Sequence, residues 1–188
     1  MAINDYGIQF SNAIDRAHRL GLSVPYVKSE DCRFLTDELM ALIPKQINDR
    51  VGPLTANQVV LQCFYVHQLI KEPLEDLFNT EMYYTIGFVE TCEKLIYSHD
   101  EAYLRELLGT GITNPSVSLH AWLTLPSMEI IDFSLSASYF HVNEGPQESY
   151  GIIANHADEL KGGMKYHPTL VGDDFLYKIG AVQYGLIF

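Results

Sequence analysis

Residues 117–135 alternate polar and apolar side chains in two runs separated by a Pro-Ser pair, a pattern that leaves little room for anything but a β-hairpin. In the first run Leu119, Ala121, Leu123 and Leu125 share one face, and His120, Trp122 and Thr124 share the other. Pro126-Ser127 supplies the turn. In the return run Ile131, Phe133 and Leu135 share a face, and Asp132, Ser134 and Ser136 lie opposite. If the hairpin pivots about Pro126, His120 and Asp132 stand equally far from the pivot and face each other. Residues so placed have Cβ atoms about 4.5–5.5 Å apart. A carboxylate there reaches the imidazole, fixes its tautomer and stabilises its protonated form. The pairing depends on register, because a one-residue slip puts the two side chains on opposite faces.

The first half of the chain reads as helices. Ile8, Ala13, Ile14, Ala17, His18 and Leu20 follow helical spacing, with Gly21 as a stop. A second helix is predicted over residues 34–47, kinked or ended by Pro44. A third is predicted from Thr55 or Asn57 to about Lys71, before Pro73. Residues 82–89 read as a strand, 100–108 as a short helix ending at Gly109, and 179–188 as a last strand. Residues 141–174 are rich in Gly, Pro, Asn and Asp and give no clear order of elements. Helices first and an antiparallel sheet later is the α+β pattern, with N-terminal helices packed on the sheet. A length of 188 residues suits a single domain. Within it, 1–54 reads as a helical part, 55–136 as a core and 137–188 as C-terminal loops and a strand.

Composition narrows the function classes. Hydrophobic residues are 47% and charged residues 19%, so the chain has the means to bury a core. The formal net charge is −12. A surface that acidic repels phosphate backbones and anionic lipids, which argues against nucleic-acid and membrane partners. Cys32, Cys63 and Cys92 form neither a CxxC pair nor a disulfide framework, which points to a reducing compartment. No apolar run approaches the roughly 20 residues of a membrane helix. Residues 1–6 lack a basic, then apolar, leader, and the expected location is the cytoplasm.

An oriented histidine needs a reacting partner, and Cys63 is the best candidate. It falls in a helix that precedes the strands, and a neighbouring imidazole can take its proton to make a thiolate. The helix dipole helps only if Cys63 lies in the first turn, whereas the pattern places it later. Cys32 follows Glu30 and Asp31, and Cys92 lies between Thr91 and Glu93 with Glu90 close by, so nearby negative charge should raise both thiols. Plain packing is the competing reading, since Cys63 shares a stripe with Val59, Val60, Val66 and Ile70. Asp132 is an acid in a strand, where Asp is depleted, and it wants a partner or a bulge. Trp122 either walls a cleft or packs on the sheet. His67, one turn after Cys63, is a rival base that reads rather as a solvent-edge residue. His141, His156 and His167 lack the spacing of a zinc site, and Gly162-Gly163 is not followed by a phosphate-binding helix. No metal or organic cofactor is implied.

The order of these residues resembles the transglutaminase-like branch of the papain-like cysteine enzymes. It is closest to uncharacterised bacterial and phage proteins of that type. The resembling motifs are Cys63-Phe64-Tyr65, then Tyr84-Thr85-Ile86-Gly87, then His120-Ala121-Trp122, then Ile130-Ile131-Asp132-Phe133-Ser134. The resemblance spans roughly residues 55–136 and implies Cys63 as nucleophile, His120 as base and Asp132 as the residue that orients it. It also implies an upstream side-chain amide for the oxyanion. Asn57, Gln58 and Gln62 are all in reach along the chain, and Asn57 fits the spacing best. Tyr84 and Trp122 join the expected substrate-binding set. Two departures stand out: Gln62 where the family has a small or polar residue, and Val66 where it carries an Asn shortly after the Cys. The implied activity is acyl transfer from an amide or thioester of a protein or peptide-like substrate, as protease, amidase, deamidase or transglutaminase. The alternatives are a non-catalytic binding module on the same fold and a deamidase-type effector acting on a host protein. The oligomeric state is not legible.

Overall fold

The computed structural model describes residues 5–92, 94–114, 116–145 and 151–182. Its helices are α1 (Asp5–Arg19), α2 (Asp37–Val51), α3 (Ala56–Val59), α4 (Cys63–Phe78), α5 (Glu101–Thr110), α6 (Leu135–Val142) and α7 (Asp174–Lys178). Its strands are β1 (Tyr83–Glu90), β2 (Leu95–Ile96), β3 (His120–Thr124), β4 (Glu129–Asp132), β5 (Ile153–His156) and β6 (Lys165–Val171). Every strand pairing given below is antiparallel, so the chain is an α+β protein. It gathers into two compact units, each assembled from separate stretches. One takes the described residues of Met1–Tyr26, Thr85–Ala121 and Leu160–Phe188, the other Val27–Tyr84 and Trp122–Glu159. The divisions expected from the sequence, at 54 and 136, do not coincide with these boundaries.

In the first unit, β1 pairs with β2 on one side and with β6 on the other. Helix α1 packs on β6. Its buried stripe is Tyr6, Phe10, Ala13 and Ala17, the spacing of one helical face, and the two alanines let the backbone come close. Ile8, expected in that stripe, is 53% exposed on another face. Gly21, at φ 71°, turns the chain out of the helix, and the Leu22 amide closes back on the Ala17 carbonyl at 3.0 Å. Of the expected last strand over 179–188, Ile179 instead caps α7 and Gly180 turns with positive φ; residues 183–188 lie outside the described residues.

In the second unit, α2 packs on α4. Thr36 caps α2, its hydroxyl accepting the Leu39 amide at 3.3 Å, and the helix runs through Pro44 to Val51. Sequence periodicity merges α3 and α4 into one helix ending before Pro73. The chain instead breaks at Val60-Leu61-Gln62, with Leu61 left-handed at φ 57°, and restarts at Cys63. Helix α4 then continues through a buried Pro73 to Phe78. Apolar spacing is preserved across such a break, which is why the pattern hides it.

The hairpin forms, with its register displaced. Leu123 pairs with Ile131 and Thr124 with Ile130, so the pivot is Ser127, not Pro126. Met128, at φ 64°, completes the turn, and its amide donates to the Leu125 carbonyl at 2.9 Å. Continued outward, this register sets Asp132 against Trp122, and the equal-distance pairing of Asp132 with His120 does not hold. Strand β4 ends at Asp132, and α6 begins at Leu135 where alternation had suggested more strand. On its other edge β4 pairs with β5, from Glu129 opposite His156 to Asp132 opposite Ile153.

Candidate functional site

Cys63 is the first residue of the 16-residue α4, with Gln62 as N-cap. The sequence reading placed it deeper in a helix; the break at Leu61 brings it to the terminus. It is half-buried, while Cys32 and Cys92 are exposed. The Val66 amide donates to the Gln62 carbonyl at 2.9 Å, so the amides of Cys63, Phe64 and Tyr65 are the N-terminal donors of α4. Those amides and the aligned peptide dipoles put partial positive charge at the start of the helix that Cys63 opens. This donor set is what sequence reasoning missed. Its only signal was the weak helix propensity of Val59 and Val60.

His67 is fully buried, not at a solvent edge. Its Nδ1 lies 2.8 Å from the Cys63 carbonyl, and its Nε2 lies 3.0 Å from the Phe133 amide, which donates to it. Since Nε2 accepts, the ring proton sits on Nδ1 and is donated to Cys63. Asp132 Oδ1 stands 3.5 Å from the same Nε2.

Asp132 is fully buried. Its Oδ1 accepts the Ser134 amide at 2.8 Å, the Ser134 hydroxyl at 3.2 Å and the Leu135 amide at 3.0 Å. The carboxylate therefore serves the N-terminus of α6, which Ser134 does not cap with its own side chain. The bulge or partner that a strand acid demands is met by these local donors and by the nearby His67.

His120 is 1% exposed. Its ring stacks on Tyr97 with centroids 5.3 Å apart, and Tyr166 stands 6.4 Å away. Trp122 is wholly buried, so it packs in the core and walls no open cleft. Tyr84 is also buried, and its hydroxyl donates to the Phe64 carbonyl at 3.0 Å, steadying the first turn of α4. Of the amide candidates, Asn57 is exposed on α3. Gln58 is engaged as the far half of a capping box, its Oε1 accepting the Thr55 amide at 3.0 Å. Gln62 is exposed beside Cys63.

Cys32 donates to Glu30 Oε2 at 3.4 Å. The hydrogen bond to Glu30, with some burial and the charge of that carboxylate, pushes its thiol above the ordinary value. Cys92 donates to the Gly162 carbonyl at 3.0 Å. Beside α3 lies an apolar groove of about 250 Å³, lined by Leu54, Ala56, Val59, Phe133, Ala137 and Ile152. Among the described residues no cluster of three or more His, Cys, Asp or Glu is placed to hold a metal ion, and no helix is long and apolar enough to cross a membrane.

Comparison with family models, with curated proteins and with solved structures finds no match to this chain.

Proposed function

We propose that the chain is a cysteine-dependent acyl-transfer enzyme in which Cys63 is the nucleophile, His120 the base and Asp132 the residue that orients it. One observation carries the reading: Cys63 opens a long helix and is half-buried behind a left-handed Leu61. A helix start of this kind aims backbone donors at a developing oxyanion.

In this mechanism His120 removes the thiol proton, and the Cys63 sulfur forms a bond to the carbonyl carbon of an amide or thioester. The amides at the start of α4, aided by Asn57 or Gln62, carry the negative charge on oxygen. The C–N or C–S bond then breaks, and the imidazolium returns the proton to the leaving amine or thiol. Water or an amine attacks the acyl-enzyme, again through His120, and frees the sulfur. The substrate class is a protein or peptide-like amide, with an apolar side chain suited to the groove beside α3. The papain-like or transglutaminase-like core belongs to the same proposal.

The burial of His120 and Asp132 favours a second reading, a binding module on this fold without turnover. The rate of iodoacetamide alkylation at Cys63 against pH separates the two. The enzyme reacts readily at neutral pH, and that reactivity is lost in His120→Ala. A Cys63 that titrates as a free thiol, with or without His120, leaves the binding module.

A further inference from the structure

We propose that His67 is a positioning residue that ties the first turn of α4 to the end of β4, and so fixes Cys63 relative to the Asp132 strand. This rests on the acyl-transfer reading above and adds to it a residue that none of the resembling motifs contains.

The ring spans the two elements. Nδ1 reaches back to the Cys63 carbonyl at 2.8 Å, while Nε2 receives the Phe133 amide at 3.0 Å, the residue directly after Asp132. In an α-helix the carbonyl of residue 63 also accepts the backbone amide of residue 67, so the ring adds a second donor to one oxygen. The Phe133 amide, just beyond β4, takes His67 as its acceptor. His67 is fully buried, between Val66 and Ile70 on the packed side of α4, so the ring has no room to swing. The Tyr84 hydroxyl donates to the Phe64 carbonyl at 3.0 Å, which holds the same turn at a second point. Both bonds require one neutral tautomer with the proton on Nδ1. In that form the ring has no proton at Nε2 to give to Asp132 Oδ1, 3.5 Å away. His67 therefore does not take the orienting carboxylate away from another histidine. An error of about 1 Å in such a site costs of order 10²-fold in rate, which is the scale of what a positioning residue protects.

The test combines imidazole ¹⁵N spectra of histidine-labelled protein with the pH profile of Cys63 alkylation in wild type, His67→Ala, His67→Asn and His67→Gln. An Asn amide nitrogen sits near the position of Nδ1 and keeps the donor to Cys63. A Gln amide oxygen sits near Nε2 and keeps only the acceptor for Phe133. The expected spectra show the neutral His67 ring carrying its proton on Nδ1. Alkylation of Cys63 at neutral pH should slow roughly threefold in Ala, and in Asn and Gln as well, because each of those two keeps only one end of the tie. A proton on Nε2, or profiles that coincide in all four proteins while thermal stability alone falls, overturns the positioning role. If the variants fail to fold, the wild-type tautomer decides. The acyl-transfer reading fails on a different result, a wild-type Cys63 whose profile ignores His120→Ala, and that result leaves the His67 tautomer standing.

Discussion

His67 donates from Nδ1 to the carbonyl of Cys63 at 2.8 Å, so the buried ring and the residue that opens α4 are held as one turn. The histidine that the sequence pattern set aside thus contacts the candidate nucleophile's own backbone. The carboxylate that the pattern assigned to His120 stands 3.5 Å from His67.

Cys63 should react first among the three cysteines although Cys32 and Cys92 are more exposed. Access favours the other two; the backbone donors at the start of α4 and a base in the proposed mechanism favour Cys63. Cys32 is held back by Glu30, which raises its thiol. Brief alkylation of native protein at pH 7 followed by peptide mapping should find the label on Cys63. Labelling led by Cys32 or Cys92 would mean that exposure, not ionisation, controls reactivity here.

Asp132→Asn should separate two roles. An amide oxygen can still accept from Ser134 and Leu135, so the fold should survive with a loss of about 0.5–1.5 kcal/mol. If Asp132 also orients the base, alkylation and turnover should fall far more, since an amide does not stabilise imidazolium; the same change in a serine triad costs about 10⁴. Asp132→Ala should cost about 3 kcal/mol, because three buried donors lose their acceptor. A thermal midpoint that falls in Asn while Cys63 reactivity holds would make Asp132 a cap for α6 and nothing more.

Glu129 is a buried carboxylate whose work is structural. It is 2% exposed and accepts the Phe34 amide at 2.7 Å, the Leu35 amide at 3.2 Å and the Ser127 hydroxyl at 2.5 Å. It pins the approach to α2 against the hairpin turn. Glu129→Ala should cost about 2–4 kcal/mol through stranded donors, and Glu129→Gln about half of that. Urea denaturation measures both, and a Gln variant as damaging as Ala would show that the charge itself is required.

His99 gives a pH dependence to stability. Burial depresses its pKa below 6.5, against the opposing hydrogen bond to the Tyr97 carbonyl at 2.9 Å. A depressed folded-state value means that the unfolded chain binds the proton first. The contribution is therefore whole above about pH 6.5 and is lost as pH falls from there toward the folded value. The thermal midpoint should drop between pH 6.5 and 5, and less steeply in His99→Gln. Equal slopes in the two proteins would remove His99 from the account.

Much of this architecture is written in local pattern. The helix at α1, the existence of α2, the Asp100 start of α5 and the strand at β1 follow from propensity and periodicity, which act over a few residues. So does the existence of the hairpin. Cys63, His120 and Asp132 could be singled out as chemistry-bearing residues in the same way. What the pattern could not carry is phase. A left-handed Leu61 splits one apolar stripe into two helices without disturbing its spacing, and only that break makes Cys63 a helix terminus. The hairpin turn takes in Met128 with positive φ, a conformation that residue type does not announce, and the register moves by two positions without changing faces. His67 and Phe133 are 66 residues apart in sequence, and their bond exists because α4 packs where the β4 backbone ends, leaving an amide that needs an acceptor. Local free energies set the elements. Burial of polar groups, which must find partners wherever the packing leaves them, set which histidine meets which carboxylate.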